Sequence, residues 1–227
     1  MKLSVIIPVY NEENTVEEVV GKVLELPLEK EIIIVDDGSS DRTPEILKRL
    51  VSKNPHIKVL FHRENQGKGS AIRTALEEVG GDVVCVQDAD LEYNVNEIMF
   101  LVRGFKNKEV GAIYGSRFLR KNPTAYKIYY LGNKVITFLI NIFYNGKLTD
   151  SYTCYKLIRT EILKELLLES KRFEIEAEIT IKLLKHKIKI LELPISYAPR
   201  KLQEGKKIGF KDAIKAFFVI LKYKFVE

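Results

Sequence analysis

The sequence predicts an α/β protein with a mostly parallel central sheet covered by helices on both faces. Three observations carry that prediction. Short, continuously apolar runs such as Leu3 to Val9, Ile32 to Asp36 and Asp82 to Gln87 have the length of strands buried on both faces. Amphipathic stretches with helical spacing separate these runs. Polar clusters fall at the carboxyl ends of the first, second and fourth of them, which is where open parallel sheets bind ligands.

Leu3 to Val9 reads as the first strand, ended by Tyr10-Asn11-Glu12. Glu13 to Leu26 then puts Val16, Val19, Val20, Val23 and Leu24 at helical spacing, with the start near Asn14 or Thr15. Ile32 to Asp36 is the second strand, ended by Asp36-Asp37-Gly38. Asp41 is the expected N-cap, and Pro44 a first-turn residue, of a helix to about Ser52. Ile57 to Phe61 is the third strand, and Lys68 to Val79 a helix closed by Gly80-Gly81. Asp82 to Gln87 is the fourth strand, followed by a helix near Val95 to Phe105 and a fifth strand from Val110 to Tyr114. The second half is less regular. Lys127 to Tyr144 reads as a very apolar helix, Thr153 to Ile158 as a strand, and Glu174 to His186 as an amphipathic helix. Ile188 to Ile195 is a strand ended by Pro194, and Gly209 to Phe225 a helix rich in Ile, Phe, Tyr and Lys.

No Gly-, Ser- or Pro-rich linker and no repeat interrupts the 227 residues, so one domain is expected over 1–227. A hydrophobic content of 46% with 30% charged residues is that of a globular protein with ample core. The net charge of +6 suits anionic lipid or phosphorylated substrates as well as a Lys/Glu-rich solvated surface. No nucleic-acid-binding motif accompanies it, so nucleic acid is not an expected partner. Cys85 and Cys154 lie far apart without metal spacing, which fits a reducing, cytoplasmic compartment. Met1-Lys2-Leu3-Ser4 leads straight into a strand, so no leader is expected. The longest apolar stretch, Val135 to Tyr144, is about half the ~20 residues a spanning helix needs. His56, His62 and His186 form no triad or zinc pattern.

Asp88 and Asp90 close the fourth strand one residue apart, and alternation on an extended backbone points both the same way. Two neighbouring carboxylates repel unless a positive group lies between them. Mg²⁺ or Mn²⁺ carrying a diphosphate is the natural guest, because hard cations take oxygens from one or two carboxylates and from substrate phosphates. Gln87 and Glu92 flank the pair as further candidates.

Taken together, Ser4-Val5-Ile6-Ile7-Pro8-Val9-Tyr10-Asn11-Glu12-Glu13, Val35-Asp36-Asp37-Gly38-Ser39-Ser40-Asp41, Asn65-Gln66-Gly67-Lys68-Gly69, Asp88-Ala89-Asp90 and Gly115-Ser116-Arg117 resemble a family 2 glycosyltransferase of GT-A type in both order and spacing. The remaining chain resembles the polyprenyl-phosphate branch, relatives of dolichol-phosphate mannose synthase. The residues that carry this second likeness are Thr149 to Lys156, Phe173 to Ile179, and Pro194 through Arg200 to Ile208. The resemblance implies a GT-A fold, with a nucleotide-sugar and metal half over 1–120 and an acceptor half over 121–227. It also implies a metal-dependent, inverting transfer of a hexose, first of all mannose from GDP-mannose, to a polyprenyl (dolichyl) phosphate. UDP-glucose with the same acceptor is the alternative donor, and transfer to a sugar hydroxyl is the alternative reaction.

The same resemblance assigns roles. Pro8, Tyr10 and Glu12 would hold the nucleoside, and Asp37 the base or ribose, while Asp36 orients the Asp37-Gly38 turn. The glycines around Lys68 would let the backbone approach the nucleotide, with Lys68 on a phosphate or merely a solvated helix-start lysine. Asp90 is the expected metal ligand, and Asp88, beside Ala89, the sugar or metal contact. Arg117 would pair with a phosphate or form a structural ion pair. Arg200, Lys206 and Lys207 would close a basic loop over the donor diphosphate. Asp150 would orient the acceptor, a basic residue or the metal, because a phosphate acceptor is already anionic and needs no strong base. The apolar, basic stretches Tyr126 to Tyr144 and Ile214 to Phe225 would lie on a membrane or pack on the core or in a dimer. The expected partners are therefore a nucleotide sugar, a lipid-linked phosphate at the cytoplasmic face, and either a homodimer mate or a separate membrane-anchoring protein.

Overall fold

The computed structural model describes residues 1–124, 126–200 and 210–225, and in them seven strands form one sheet. β1 (Leu3–Val9), β2 (Lys30–Asp36) and β3 (Ile57–Phe61) pair in parallel, and β4 (Val83–Val86) lies parallel on the other side of β1. β5 (Val110–Ser116), β6 (Lys156–Arg159) and β7 (Lys189–Pro194) complete the order β3-β2-β1-β4-β6-β5-β7. The helices are α1 (Val16–Glu25), α2 (Thr43–Lys53), α3 (Lys68–Leu76), α4 (Glu97–Val102), α5 (Lys127–Tyr144), α6 (Thr160–Glu165), α7 (Ile175–Lys185) and α8 (Phe210–Phe225), with a 3-10 turn at Arg103–Lys106 after α4.

The sheet is mostly parallel, as its apolar strands predict, except for β6, which runs antiparallel to both β4 and β5. The reason lies in the connection. Lys156 opens β6 opposite Tyr114, near the end of β5. The chain therefore leaves β5 and re-enters the sheet at the same end, and α5 never crosses back as a parallel connection requires. Residues 117–155 are an excursion over the carboxyl ends of the strands.

Local differences from the predicted elements have similar causes. The α2 N-cap position is Arg42, but the Asp41 carboxylate accepts the N–H of Thr43 at 3.0 Å and of Glu13 at 3.1 Å. It thus satisfies α2 and ties it to the turn before α1. The short helix α6 has no periodic signal long enough to foretell it.

Two apolar clusters hold the fold together. The larger joins the sheet to the helices on it, around Val5, Ile7, Ile34, Val84, Ile98 and Ile113. The smaller lies between α5, α7 and α8, where Ile136 and Ile140 meet Ala177, Ile181, Ala216 and Ile220.

Candidate functional site

The chain steps from β1 out to β3 and then returns to the far side of β1 as β4. Such a reversal opens a crevice at the carboxyl ends of the two strands. A cavity of about 650 Å³ occupies it. Pro8, Tyr10 and Glu12 line it from the end of β1, Asp37 from the end of β2, Lys68 from the start of α3, and Asp88, Ala89 and Asp90 from the end of β4. Arg117 and Arg200 face it from the second half. Asp150 does not line the cavity but stands behind Arg117, and Lys206 and Lys207 lie outside the described residues.

The three acids after β4 are crowded. Burial first, and then the charges of Asp88 and Glu92, push the Asp90 carboxyl up to about 7. Its Oδ1 accepts the N–H of Glu92 at 3.1 Å across Leu91, whose φ of 60° turns the chain back on itself. Gln87 is no ligand: fully buried, it donates to the Asp88 carbonyl at 2.8 Å and accepts from the Tyr155 hydroxyl at 2.5 Å. Among the described residues no three His, Cys, Asp or Glu side chains are grouped to hold a metal by themselves. One or two carboxylates with a phosphate-bearing substrate are instead the donor set that Mg²⁺ takes. Crowding that disfavours ionised Asp90 is relieved by a divalent cation, so these residues fit one.

Three basic groups of the site, Lys68, Arg117 and Arg200, are already paired. The Lys68 ammonium bridges Asp88 at 2.7 Å and Glu176 at 3.0 Å. Glu176 also pairs with Lys156, whose Nζ bonds the Thr153 carbonyl at 2.5 Å. Burial works against the charge on Lys68, but Asp88, Cys154 and Glu176 outweigh it and its pKa stands well above the ordinary value. Lys156 goes the other way, because burial pulls it down further than Glu176 raises it. The result is an alternating chain Asp88–Lys68–Glu176–Lys156, whose first three members line the cavity.

Arg117 is held by a carboxylate. Asp150 occupies two of its guanidinium nitrogens, Nε at 2.7 Å and Nη2 at 2.8 Å, and also accepts the Arg117 backbone N–H at 3.0 Å. The structural ion pair is therefore present, and Arg117 still lines the cavity. Glu192 on β7 holds Asp150 in turn, accepting the N–H groups of Thr149 at 2.7 Å and Asp150 at 2.9 Å.

Glu12 and Arg200 form a second fork, at 3.1 and 2.9 Å. Arg200 also donates from Nε to the Asp90 carbonyl at 2.6 Å and from its backbone N–H to Glu92 at 2.7 Å. Tyr197 donates to Glu92 at 2.6 Å and lies against the Arg117 guanidinium, 5.2 Å from ring centre to Cζ. The segment after β7 is thereby laced to the Asp90 loop and to the end of β1.

Asp37 lines the cavity and also holds backbone. Its carboxylate accepts the N–H groups of Gln66 at 3.0 Å and Gly67 at 2.7 Å, and its Oδ1 pairs with His62 Nδ1 at 2.7 Å. Asp36 accepts the Ser39 N–H at 3.2 Å and so orients the turn. The glycines of 65–69 make room for a neighbouring stretch of the chain. A Cβ on Gly67 would stand 2.4 Å from the Lys171 carbonyl oxygen, and one on Gly69 2.4 Å from that of Ser170. Their freedom lets the 170–172 backbone close on the loop, where the Ser70 N–H donates to Lys171 at 3.0 Å. Gly67, at φ 101°, also lines the cavity.

Several site residues have no role readable in the sequence, even where, as with Glu176 and Tyr197, they fall in segments that carry the family likeness. Glu176 is buried, and periodicity does not separate a buried Glu from an exposed one. Tyr197, Glu192 and Asn122 act through partners far along the chain: the Asn122 amide bonds the Arg117 and Ile195 carbonyls at 2.8 and 2.9 Å.

With this geometry in hand, the comparisons are informative. The model of the family "Glycosyl transferase family 2" matches residues 4–167. The chain is 33% identical over 215 residues to the dolichol-phosphate mannosyltransferase of Pyrococcus furiosus, covering 92% of this chain and 60% of that one. It is likewise 33% identical over 234 residues to the UDP-N-acetylglucosamine–dolichyl-phosphate N-acetylglucosaminyltransferase of Methanococcus voltae, covering 91% of each. Glucosyl-3-phosphoglycerate synthase of Mycobacterium tuberculosis, crystallised with Mn²⁺, uridine diphosphate and phosphoglyceric acid, superposes with a TM-score of 0.76 at 18% identity. The superposition covers 100% of this chain and 79% of that one, a likeness of fold.

Proposed function

Because the chain belongs to glycosyl transferase family 2, we propose that it moves a hexose from a nucleoside diphosphate sugar to the phosphate of a polyprenol at a membrane surface. One observation carries the choice of acceptor. Tyr126, Tyr129, Tyr130 and Asn133, at the start of α5, line the cavity. From there Ile128, Leu131, Val135, Phe138 and Ile142 continue along the exposed side of the same helix. A phosphate in the cavity with an apolar tail along α5 matches that continuity. Two relatives in the same family are named for dolichyl phosphate, one as a mannosyl and one as an N-acetylglucosaminyl transferase. Mannose from GDP-mannose is our first donor, with UDP-glucose and UDP-N-acetylglucosamine to be tested beside it.

In this reading Pro8, Tyr10, Glu12 and Asp37 hold the nucleoside. Lys68 and Arg200 turn from their carboxylate partners toward the diphosphate, and Lys206 joins them. Asp88 and Asp90 would hold Mg²⁺ or Mn²⁺, which when bound neutralises charge on the leaving diphosphate. Arg117, fixed by Asp150, presents its remaining N–H groups to the acceptor phosphate. That phosphate has a second pKa of about 6 and attacks the anomeric carbon as an anion, so no general base is needed. Asp150 then acts by positioning, which its engagement with Arg117 supports. Transfer to a sugar hydroxyl would need a base, and an Asp150 already engaged with Arg117 does not favour that reading. We assign the protein to the cytoplasmic face, docked peripherally through its two apolar helices and its net charge of +6. No helix among the described residues is long and apolar enough to cross a membrane.

The test is transfer of label into the lipid phase. Purified protein with Mn²⁺ and dolichol phosphate in detergent is given each labelled donor in parallel. One donor should label the lipid, and Asp90→Ala should lower the rate about a hundredfold or more, as loss of a preorganised electrostatic group does. Nucleotide-sugar binding with no lipid label from any donor would overturn the acceptor and send the search to hydroxyl acceptors.

A further inference from the structure

We propose that Tyr197 is a positioning residue that aims Arg117 at the acceptor phosphate and ties it to the donor-side acids, an inference that rests on the transferase reading above. Asp150 grips one edge of the guanidinium, at Nε and Nη2. Two bonds to one carboxylate fix that edge, but the plane can still tilt about it. The third nitrogen, Nη1, makes no hydrogen bond among the described residues and swings furthest when the plane tilts.

The Tyr197 ring restrains that tilt. Its centre lies 5.2 Å from Arg117 Cζ, and the Phe118 ring centre lies 5.8 Å from the same carbon. A guanidinium is held against an aromatic face by the ring's quadrupole. The ring is itself anchored. Tyr197 packs on Tyr93 at 5.3 Å and Tyr93 on the fully buried Tyr155 at 4.8 Å, a row of three rings that runs into the core. Its backbone pairs with Tyr93 as a β-bridge and donates to Asn122 Oδ1 at 3.0 Å. The same Asn122 side chain bonds the Arg117 carbonyl at 2.8 Å.

The hydroxyl reaches the other half of the site. It donates to Glu92 Oε2 at 2.6 Å, and the Glu92 N–H donates to Asp90 Oδ1 at 3.1 Å. One side chain therefore touches both the cation assigned to the acceptor and the acid loop assigned to the donor, and all three line the cavity. Transfer between two bound substrates depends on their mutual placement, and a shift of about 1 Å costs on the order of a hundredfold in rate. The ring sets the direction of the Arg117 N–H groups, and the hydroxyl sets their distance from the Asp90 loop.

The experiment is steady-state kinetics in Mn²⁺ with dolichyl phosphate varied in detergent. The nucleotide sugar is saturating and is whichever of GDP-mannose, UDP-glucose and UDP-N-acetylglucosamine the wild type turns over. Calorimetric titration with the matching free nucleoside diphosphate runs alongside. Tyr197→Leu removes ring and hydroxyl and should raise KM for dolichyl phosphate about tenfold, with affinity for the free diphosphate unchanged. Tyr197→Phe keeps the ring and loses the tie, so it should restore that KM and lower kcat about tenfold. An unaltered acceptor KM in Tyr197→Leu overturns the proposal, as does an unaltered kcat in Tyr197→Phe. An equal loss of diphosphate binding also overturns it, since general loosening of the segment after β7 gives that result. Should Tyr197→Leu fail to fold, Tyr197→Met, also ringless and closer in volume, is read by the same criteria, and failure of both assigns the ring to packing and overturns the proposal. A wild type that labels no dolichyl phosphate from any donor sinks the acceptor reading itself, and this inference falls with it.

Discussion

Arg117 is largely enclosed at the edge of the cavity with a carboxylate across two of its nitrogens, and that arrangement decides what a mutation there would do. Burial pulls the guanidinium down, but Asp150 outweighs it and the pKa stands well above the ordinary value. Removing one partner of such a pair strands the other, at a cost of about 3–5 kcal/mol. Asp150→Ala should therefore lower the unfolding free energy by about that much in urea titration, and Asp150→Ala with Arg117→Met should recover most of it. An Asp150→Ala protein as stable as wild type would show that Asp150 does not hold Arg117. At this scale the sequence was informative where chemistry is local: two carboxylates one residue apart are read directly from Asp88-Ala89-Asp90. It was silent where a residue's role depends on its partner. Glu176 falls in a segment that carries the family likeness, but its role emerges only when Lys68 and Lys156 are found against it.

Among the elements, α7 has a buried, acid-rich first half, and that half organises the loop before it. Glu178 accepts the N–H of Glu169 at 2.9 Å and of Ser170 at 2.8 Å, while Tyr223 of α8 donates to it at 2.7 Å. The ordered 169–172 segment then closes on Gly67 and Gly69. Burial raises the Glu178 carboxyl, but Lys182, Ser170 and Tyr223 outweigh it and hold it below its ordinary value of 4.5. A carboxyl depressed by folding contributes stability that is complete above its unfolded value and is lost as the pH falls through its folded one. Stability should therefore decline on acidification below about pH 4.5, and Glu178→Gln should flatten that part of the profile while lowering stability at pH 7. Thermal unfolding from pH 3 to 7 measures both, and an unaltered acid limb in the variant would remove Glu178 from the account. The helix itself was legible from periodicity. Its inward-facing acids were not, since they are buried by α8 and by a loop that periodicity does not bring near.

For the molecule as a whole, α5 and α8 lie side by side, bury one face each in a shared core, and leave the other exposed. Phe138 is 62% and Phe218 64% exposed, among Lys215, Lys222 and Lys224. Packing on the core, one of the roles foreseen for these stretches, is true of one side of each helix, and the opposite side is exposed and apolar. If the exposed faces meet lipid, the protein should float with vesicles containing anionic phospholipid, and Phe138→Ser with Phe218→Ser should lower the bound fraction about tenfold or more. Flotation unchanged by the double substitution would leave these faces to a protein partner.

The sequence by itself determined the alternation of strands and helices, the mostly parallel sheet, and the placing of Tyr10-Asn11-Glu12, Asp37 and Asp88-Ala89-Asp90 at strand ends. Each of those follows from apolar periodicity and chain order, which are local properties. Only the tertiary structure decided who pairs with whom. Glu12 meets Arg200 from 188 positions away, Asp150 meets Arg117 from 33, and Gly67 and Gly69 answer to residues 170–172. It also turned β6 antiparallel by keeping α5 at the carboxyl end of the sheet. The physical reason is common to all of these: charge pairing, close backbone approach and strand direction depend on distances between segments that meet only after folding, and no short-range pattern encodes them.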